Sequence, residues 1–276
     1  DDSSPGSRRT VPLSIINPSV PAGLTLVGVG PGDPELLTLA AVHAIEQADV
    51  VATPLAREGG ASMAAAIASR YIAPQQRLLP LSFPMVAAAA PRQQAWHRAA
   101  DAVAAEVSAG RSVALLCEGD ASLFATGSYV LLALQQRHPD CPIRVIPGIT
   151  AISAAAAAAT WPLALQQDQL LVLPCPETAD ALTGLLETAA EQSRVLALMK
   201  LGHRWSWVRP LLERRSLLSA ALFAERVGWP DQIVRPAGDM EASERPYFSL
   251  LLVRQGWPDV LPLSLIHISE PTRPLY

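Results

Sequence analysis

Leu24-Thr25-Leu26-Val27-Gly28-Val29-Gly30-Pro31-Gly32-Asp33-Pro34 is the stretch on which the fold turns. Its first half is an apolar, β-branched run that stops at glycines, the pattern of a strand buried on both faces. Helical periodicity follows over Pro34–Gln47, with Leu36, Leu39, Ala40 and Ile45 on or near one face. Asp33 can cap that helix, Pro34 suits its first turn and Glu35 complements its dipole. A strand, a glycine loop and a helix in that order let a backbone approach a ligand at the carboxyl end of a sheet. The spacing is G-x-G-x-G, whereas a dinucleotide fingerprint needs G-x-G-x-x-G. Asp33 also places negative charge where a pyrophosphate needs bare amides. This counts against a nicotinamide or flavin oxidoreductase and leaves a plain tight turn or another ligand.

Outward from that segment, strands and helices alternate. Asp49–Thr53 reads as a strand, Ser62–Tyr71 as a helix and Arg77–Ser82 as extended. Pro91–Ala109 reads as a long helix with Trp96, Ala100, Val103 and Val107 on one stripe, ended by Gly110. Ser112–Cys117 is another buried strand, and Glu118–Phe124 is a loop into a helix through Tyr129–Gln136. Ile143–Ile146 is a strand broken by Pro147-Gly148. An Ala-rich helix over Ile149–Thr160 comes next. Further strands are expected at Gln169–Leu173, Val195–Met199, Ala220–Ala224 and Phe248–Val253, with helices over Ala179–Ala190 and Trp205–Arg214. The alternation predicts an α/β protein. It divides near Pro147 into an N-terminal α/β domain, 24–146, and a C-terminal α/β domain, 147–257. Residues 1–23, rich in Ser, Pro and Gly, read as a flexible leader. Residues 258–276 read as a tail. Within it, 263–276 (LSLIHISEPTRPLY) resembles a translated sequencing-adapter fragment and is expected to be non-native; a natural tail is the alternative.

Composition narrows the function. The 276 residues are half apolar and 17% charged, with a net charge of −4 and 5% aromatics. That argues against a nucleic-acid-binding surface and against base-stacking platforms. Cys117, Cys141 and Cys175 lack metal-like spacing and read as reduced, buried thiols. No apolar run reaches the roughly 18 residues of a membrane span, and the start lacks a signal pattern. A cytoplasmic protein with no bound metal is expected. The five histidines are scattered, and no Ser-His-Asp set, HExxH or Cys-rich cluster is present.

Four segments can carry chemistry. The first is the Gly28–Pro34 loop. The second is Cys117-Glu118-Gly119-Asp120-Ala121-Ser122-Leu123-Phe124, where carboxylates at a strand's end suit ribose hydroxyls or a cationic ligand, or form a solvated cap. The third is Val145-Ile146-Pro147-Gly148-Ile149-Thr150-Ala151, where Thr150 can cap a helix or touch a ligand. The fourth pairs Leu198-Met199-Lys200-Leu201-Gly202 with Ala224-Glu225-Arg226-Val227-Gly228. Met199 suits a core by type, and Glu225-Arg226 reads as a surface pair of little energetic weight.

Taken in this order, VGVGPGDPELLTLAA, ADVVATP, CEGDASLFATGSY, RVIPGITAISAAAA, LMKLG and ALFAERVG resemble the tetrapyrrole (corrin/porphyrin) methylase family over roughly residues 24–255. Within the family, CEGDASLFATGSY, ERVGWPDQ and RPYFSLLLV are most similar to the precorrin-2 C(20)-methyltransferase branch. The resemblance implies two α/β domains with a ligand cleft between them, S-adenosyl-L-methionine folded in that cleft, a homodimer, and a carboxylate-rich reduced tetrapyrrole as substrate. It implies C(20) methylation of precorrin-2 to precorrin-3A in cobalamin biosynthesis. The rivals are the cobalt-factor II enzyme of the anaerobic route, another family member such as a ribosomal RNA methylase or diphthine synthase, and an inactive or truncated tetrapyrrole-binding scaffold. Carried over position by position, the methyl-donor contacts are Pro31, Glu118, Gly119, Asp120, Leu123, Thr150, Ala151, Met199, Val227, Pro246 and Tyr247. A polycarboxylate substrate needs cations, for which Arg57, Arg92, Arg204 and Arg226 are the candidates. Ala121 stands where the family has proline, and Thr53 where an aromatic is frequent. Pro54 stands where related uroporphyrinogen methylases carry an Asp assigned as a proton acceptor, so no catalytic base can be named. Methyl transfer from a sulfonium needs no protein nucleophile; the protein's task is alignment and exclusion of water.

Overall fold

The structure is a computed structural model, and it describes residues 21–56 and 59–258. Most of the expected leader, the tail from 259 onward and the candidate Arg57 lie outside the described residues.

Two five-stranded sheets carry the chain. The first contains β1 (Gly23–Gly28), β2 (Val50–Leu55), β3 (Arg77–Ser82), β4 (Ser112–Cys117) and β5 (Ile143–Ile146), in the order β3-β2-β4-β1-β5. Every pairing in it is parallel. Parallel strands need helical crossovers, which cover both faces and explain the unbroken apolar runs. Here α1 (Leu39–Gln47) and α2 (Met63–Ala68) cover one face, and α3 (Ala89–Ser108) and α4 (Thr126–Arg137) cover the other. Strand parity sorts the side chains. Val113, Leu115 and Cys117 of β4 pack with Ala100, Val103 and Val130. The alternate residues Ala114 and Leu116 pack with Ala41, Ile45 and Ile67.

The second sheet is mixed. It contains β6 (Gln169–Pro174), β7 (Arg194–Met199), β8 (Ala221–Glu225), β9 (Ile233–Pro236) and β10 (Ser249–Val253), in the order β6-β7-β10-β8-β9. Only β6 and β7 are parallel; the other pairs are antiparallel. One face packs on α6 (Ala179–Glu191) and α7 (Trp205–Arg214) through Leu182, Leu186, Trp205 and Leu212. The other packs on α5 (Ala151–Ala158) through Ile152, Ala154 and Ala155.

Three local readings need correction. The helix expected over Pro34–Gln47 is two pieces: a 3-10 turn, Pro34–Leu36, and then α1. Leu37 is extended, and the Thr38 hydroxyl accepts from the Ala41 amide, so Thr38 caps a fresh helix. The helix expected from Ile149 begins at Ala151 because Thr150 is its N-cap. Strand β9 had no counterpart in the sequence reading. Cys117 and Cys175 are buried, whereas Cys141 is partly exposed. Burial pushes the Cys117 and Cys175 thiols up to about 12.

Candidate functional site

The helices that follow β1 and β4 lie on opposite faces of the first sheet. The carboxyl ends of those neighbouring strands therefore form a topological switch point, where a crevice opens between diverging loops. Two of the four chemistry-bearing segments leave the sheet there, and a third leaves from β5, the other neighbour of β1.

These three loops meet backbone to backbone. The Gly30 amide donates to the Gly119 carbonyl at 3.1 Å, and the Gly119 amide donates to the Gly30 carbonyl at 2.8 Å. Gly30 and Gly119 both have positive φ, at 77° and 65°, a conformation glycine adopts without steric cost. A Cβ on Gly28 would lie 2.6 Å from the Gly148 nitrogen, and a Cβ on Gly148 would lie 2.2 Å from the Gly119 oxygen. In the sequence Gly28 and Gly148 mark only loop boundaries; the contact between them is long-range and has no local signal.

Carboxylates line this junction. The Gly148 amide donates to Asp120 Oδ2 at 2.9 Å, and the Ser122 amide donates to Asp120 Oδ1 at 2.8 Å. Burial acts to raise the Asp120 pKa. The Ser122 hydroxyl and the amides of Gly148, Ser122 and Leu123 outweigh it and hold the group below the ordinary carboxylate value. Neighbouring Glu118 goes the other way. Burial raises its pKa, and the Ala64 amide at the head of α2 offsets this only in part. Thr150 caps α5, its hydroxyl oxygen accepting the Ser153 amide at 3.1 Å. Ala151 opens that helix, at the rim of the cluster between α5 and the second sheet.

The second sheet reaches the same junction. Trp229 Nε1 donates to the Pro31 carbonyl at 3.1 Å. A Cβ on Gly228 would lie 2.6 Å from the Asp33 nitrogen. Leu123 and Leu36, from first-sheet loops, pack with Met199 and buried Val227 around α5. Buried Ser249 ties two tips together: its hydroxyl donates to the Pro246 carbonyl at 2.7 Å and accepts the Gly202 amide at 2.9 Å. Next to Pro246, the Tyr247 ring lies 5.8 Å from Lys200 Nζ, and the Phe124 ring lies 5.4 Å from it. Phe124, Lys200 and Arg226 all hold positive φ, at 54°, 56° and 48°. Such strained non-glycine backbone gathers where surrounding structure fixes a functional geometry. Of this set, Phe124, Lys200 and Trp229 were not among the candidate site residues. Their positive φ and cross-sheet contacts are invisible in composition or period.

The candidate arginines behave differently. Arg204 is ion-paired with Glu177, and its Nη1 donates to the Lys200 carbonyl at 2.9 Å. Arg226 Nε donates to both oxygens of Asp231, at 2.9 and 2.8 Å, and its guanidinium stacks 5.1 Å over Trp229. The expected Glu225–Arg226 surface pair does not exist. Glu225, the last residue of β8, is buried and takes Arg245 Nε at 2.7 Å instead, while Arg226 lies beyond the strand at positive φ and turns to Asp231. Arg92 donates to the Ala88 carbonyl and lines a hollow of about 270 Å³ between α3 and α4, with Trp96 and Tyr129. A second hollow of about 280 Å³ lies beside α1, lined by Thr25, His43, Ser112 and Arg144. It opens at the amino-terminal ends of β1 and β4, the edge opposite the glycine junction. Among the described residues, no group of three or more His, Cys, Asp or Glu side chains could hold a metal ion, and no helix is long and apolar enough to cross a membrane.

Comparison with known proteins accords with this geometry. The chain is 33% identical to the cobalt-precorrin-2 C(20)-methyltransferase of Salmonella typhimurium over 240 residues, covering 85% of this chain and 97% of that one. It is 36% identical to the precorrin-2 C(20)-methyltransferase of a Sinorhizobium species, covering 84% and 95%. Among solved structures, the methyltransferase CobJ superposes with a TM-score of 0.58 at 25% identity, over 84% of this chain and 94% of that one. The model of the Tetrapyrrole (Corrin/Porphyrin) Methylases matches residues 23–241, and the chain belongs to that family.

Proposed function

We propose that this chain is an S-adenosylmethionine-dependent C-methyltransferase that methylates C(20) of precorrin-2 in cobalamin biosynthesis. In this reading it acts as a cytoplasmic homodimer of two-lobed subunits (24–146 and 147–257), without a bound metal. The observation that carries it is the contact of Gly28, Gly119 and Gly148 at the switch point, closed from the other sheet by Trp229. Similarity to C(20)-methyltransferases over more than four-fifths of the chain supports the choice of ring position.

The residues present fit the methyl donor. Side chains are missing where backbone must come close, and carboxylates stand where hydroxyls and a cation need partners. Glu118 and Asp120 would take the polar end, with Gly119, Pro31, Thr150 and Ala151 supplying backbone edges. Leu123, Met199 and Val227 would supply the apolar wall, and Pro246 and Tyr247 the rim. When bound, S-adenosylmethionine supplies a methyl group on a positively charged sulfur, so the ring carbon of the substrate is the nucleophile. What the chain contributes is alignment and a dry interface. Arg204 and Arg226 already hold carboxylates, so substrate side chains would have to exchange with Glu177 and Asp231.

Incubation with precorrin-2 and a 13C-labelled methyl donor, followed by NMR assignment of the product, tests this. The label is expected at C(20); a label elsewhere on the ring refutes the regiochemistry and keeps the family. Relatives named for the metal-free and the cobalt-loaded substrate are similar to this chain to nearly the same degree. The cobalt-loaded ring is therefore the second reading, and comparing kcat/KM for the two substrates decides between them.

A further inference from the structure

The chain has 21 cationic residues, of which twenty are arginine and only one, Lys200, is lysine. Lys200 follows β7 directly and stands at positive φ, which lysine adopts at a steric cost. Arg204, anchored on Glu177, donates to its carbonyl and fixes that backbone. Its ammonium lies within cation–π range of Phe124 from the first sheet and Tyr247 from the second. Both rings are about half exposed, at 45% and 44%. Among the described residues no carboxylate lies within 4.0 Å of its Nζ, in contrast to Arg204 and Arg226.

An ammonium carries three donors, and ring faces satisfy charge without accepting all of them as ordinary hydrogen bonds. The arrangement therefore offers an apolar, aromatic rim with one unpaired point charge at its centre, where the two sheets' loops meet. A flat macrocycle with carboxylates around its edge has the complementary distribution. A small, strongly hydrated cation on a flexible stem can move from the rings to an arriving carboxylate more easily than a guanidinium locked in a fork.

We propose that Lys200, held between Phe124 and Tyr247, is a specificity-determining contact that receives a side-chain carboxylate of the tetrapyrrole. This rests on the function proposed above. The other source of a carboxylate at this rim is the amino-acid end of the methyl donor, and the test separates the two.

Because the chain has one lysine, reductive 13C-methylation of the intact protein gives one side-chain dimethylammonium NMR signal beside that of the α-amino group. Adding precorrin-2 in the presence of S-adenosylhomocysteine is expected to shift the Lys200 signal, and S-adenosylhomocysteine alone to leave it nearly in place. A full shift with S-adenosylhomocysteine alone, and no further change with precorrin-2, assigns the carboxylate to the donor and overturns the proposal. No shift with either overturns it too. In kinetics, Lys200→Asn tolerates the left-handed backbone, so folding is preserved. It is expected to raise KM for precorrin-2 about tenfold or more. KM for the methyl donor is expected to stay within about twofold, and Lys200→Arg to recover part of the loss. An unchanged precorrin-2 KM in Lys200→Asn, with normal wild-type turnover, overturns the role of Lys200 alone. Wild-type protein that does not methylate precorrin-2 at all overturns the functional reading and this proposal together.

Discussion

Trp229, in the loop after β8, donates its Nε1 hydrogen to the carbonyl of Pro31 in the loop after β1, at 3.1 Å. The ring also occupies the space that a side chain on Gly32 would need, 2.6 Å from where its Cβ would lie. One indole thus reads the shape of the glycine loop and closes it with a hydrogen bond, joining the apolar cluster under the first sheet as it does so.

Two substitutions separate these contributions. Trp229→Phe keeps most of the ring and loses the donor, and is expected to cost about 1 kcal/mol of stability. Trp229→Ala also removes the packing, at about 2–4 kcal/mol for a partly buried ring, and weakens methyl-donor binding further than Trp229→Phe does. Urea titrations and isothermal titration with S-adenosylmethionine measure both. Unchanged donor affinity in Trp229→Ala would mean that closure at Pro31 is unrelated to the ligand.

The glycine junction predicts a contrast between two Gly→Ala changes. Gly148→Ala drives a methyl into the Gly119 carbonyl, 2.2 Å away, with backbone on every side. It is expected to cost about 1–3 kcal/mol by overpacking and to abolish donor binding. Gly184→Ala, inside α6, meets nothing within 4 Å, and is expected to stabilise by about 0.5–1 kcal/mol. Thermal melts of the two variants should move in opposite directions. A harmless Gly148→Ala would remove the steric reason for glycine at the junction.

Arg254 and Asp168 form the most enclosed ion pair among the described residues, with side chains 1% and 7% exposed and a 2.7 Å contact. Arg254 also donates to the Leu163 carbonyl at 3.1 Å and stacks 4.5 Å from Trp257. The pair locks the end of β10 to the turn ahead of β6. Arg254→Met strands a buried carboxylate and is expected to cost about 3–5 kcal/mol. Adding Asp168→Asn should restore a large part of that, because the stranded charge disappears. Strictly additive losses in the double variant, read from urea melts, would show that the two charges are not coupled.

The sheets were legible where burial was double-sided. Ser112–Cys117 matches β4 to the residue, since a parallel strand between two helical layers has to be apolar throughout, while the edge strand β5, with Arg144 and Val145 exposed, matches because Pro147-Gly148 ends it. The four strand-tip motifs were legible for a related reason: glycine, proline and an acid crowd the place where a strand ends. What failed was whatever depends on a distant partner. Half-buried β9 pairs only with β8, at the sheet edge, and its four residues give no period to read. Glu225 looked solvent-facing because its neighbour in sequence is Arg226, while its partner Arg245 lies twenty residues on. Lys200 carries no local signal beside Met199, because only the fold brings Phe124 and Tyr247 to it. Trp229 gave no hint of reaching Pro31, 198 residues away.

Glu118 links stability to the proposed ligand role with a definite sign. Burial at the switch point holds its carboxyl pKa above the ordinary 4.5. As pH rises past that ordinary value, the unfolded chain ionises this group before the folded one does. The folded state then binds more protons than the unfolded state, and stability falls with rising pH. Glu118→Gln removes this penalty, so the variant should be more stable than the wild type near pH 8, with the difference closing by about pH 4. The same change takes a carboxylate from the cleft, and S-adenosylmethionine affinity should drop about tenfold or more if Glu118 accepts a hydrogen bond from it. Denaturation midpoints at the two pH values and calorimetric titration near pH 8 read the two effects separately. A variant that gains stability and keeps full affinity would leave Glu118 a buried acid without a ligand. One that loses stability near pH 8 would contradict the desolvation that raises its pKa.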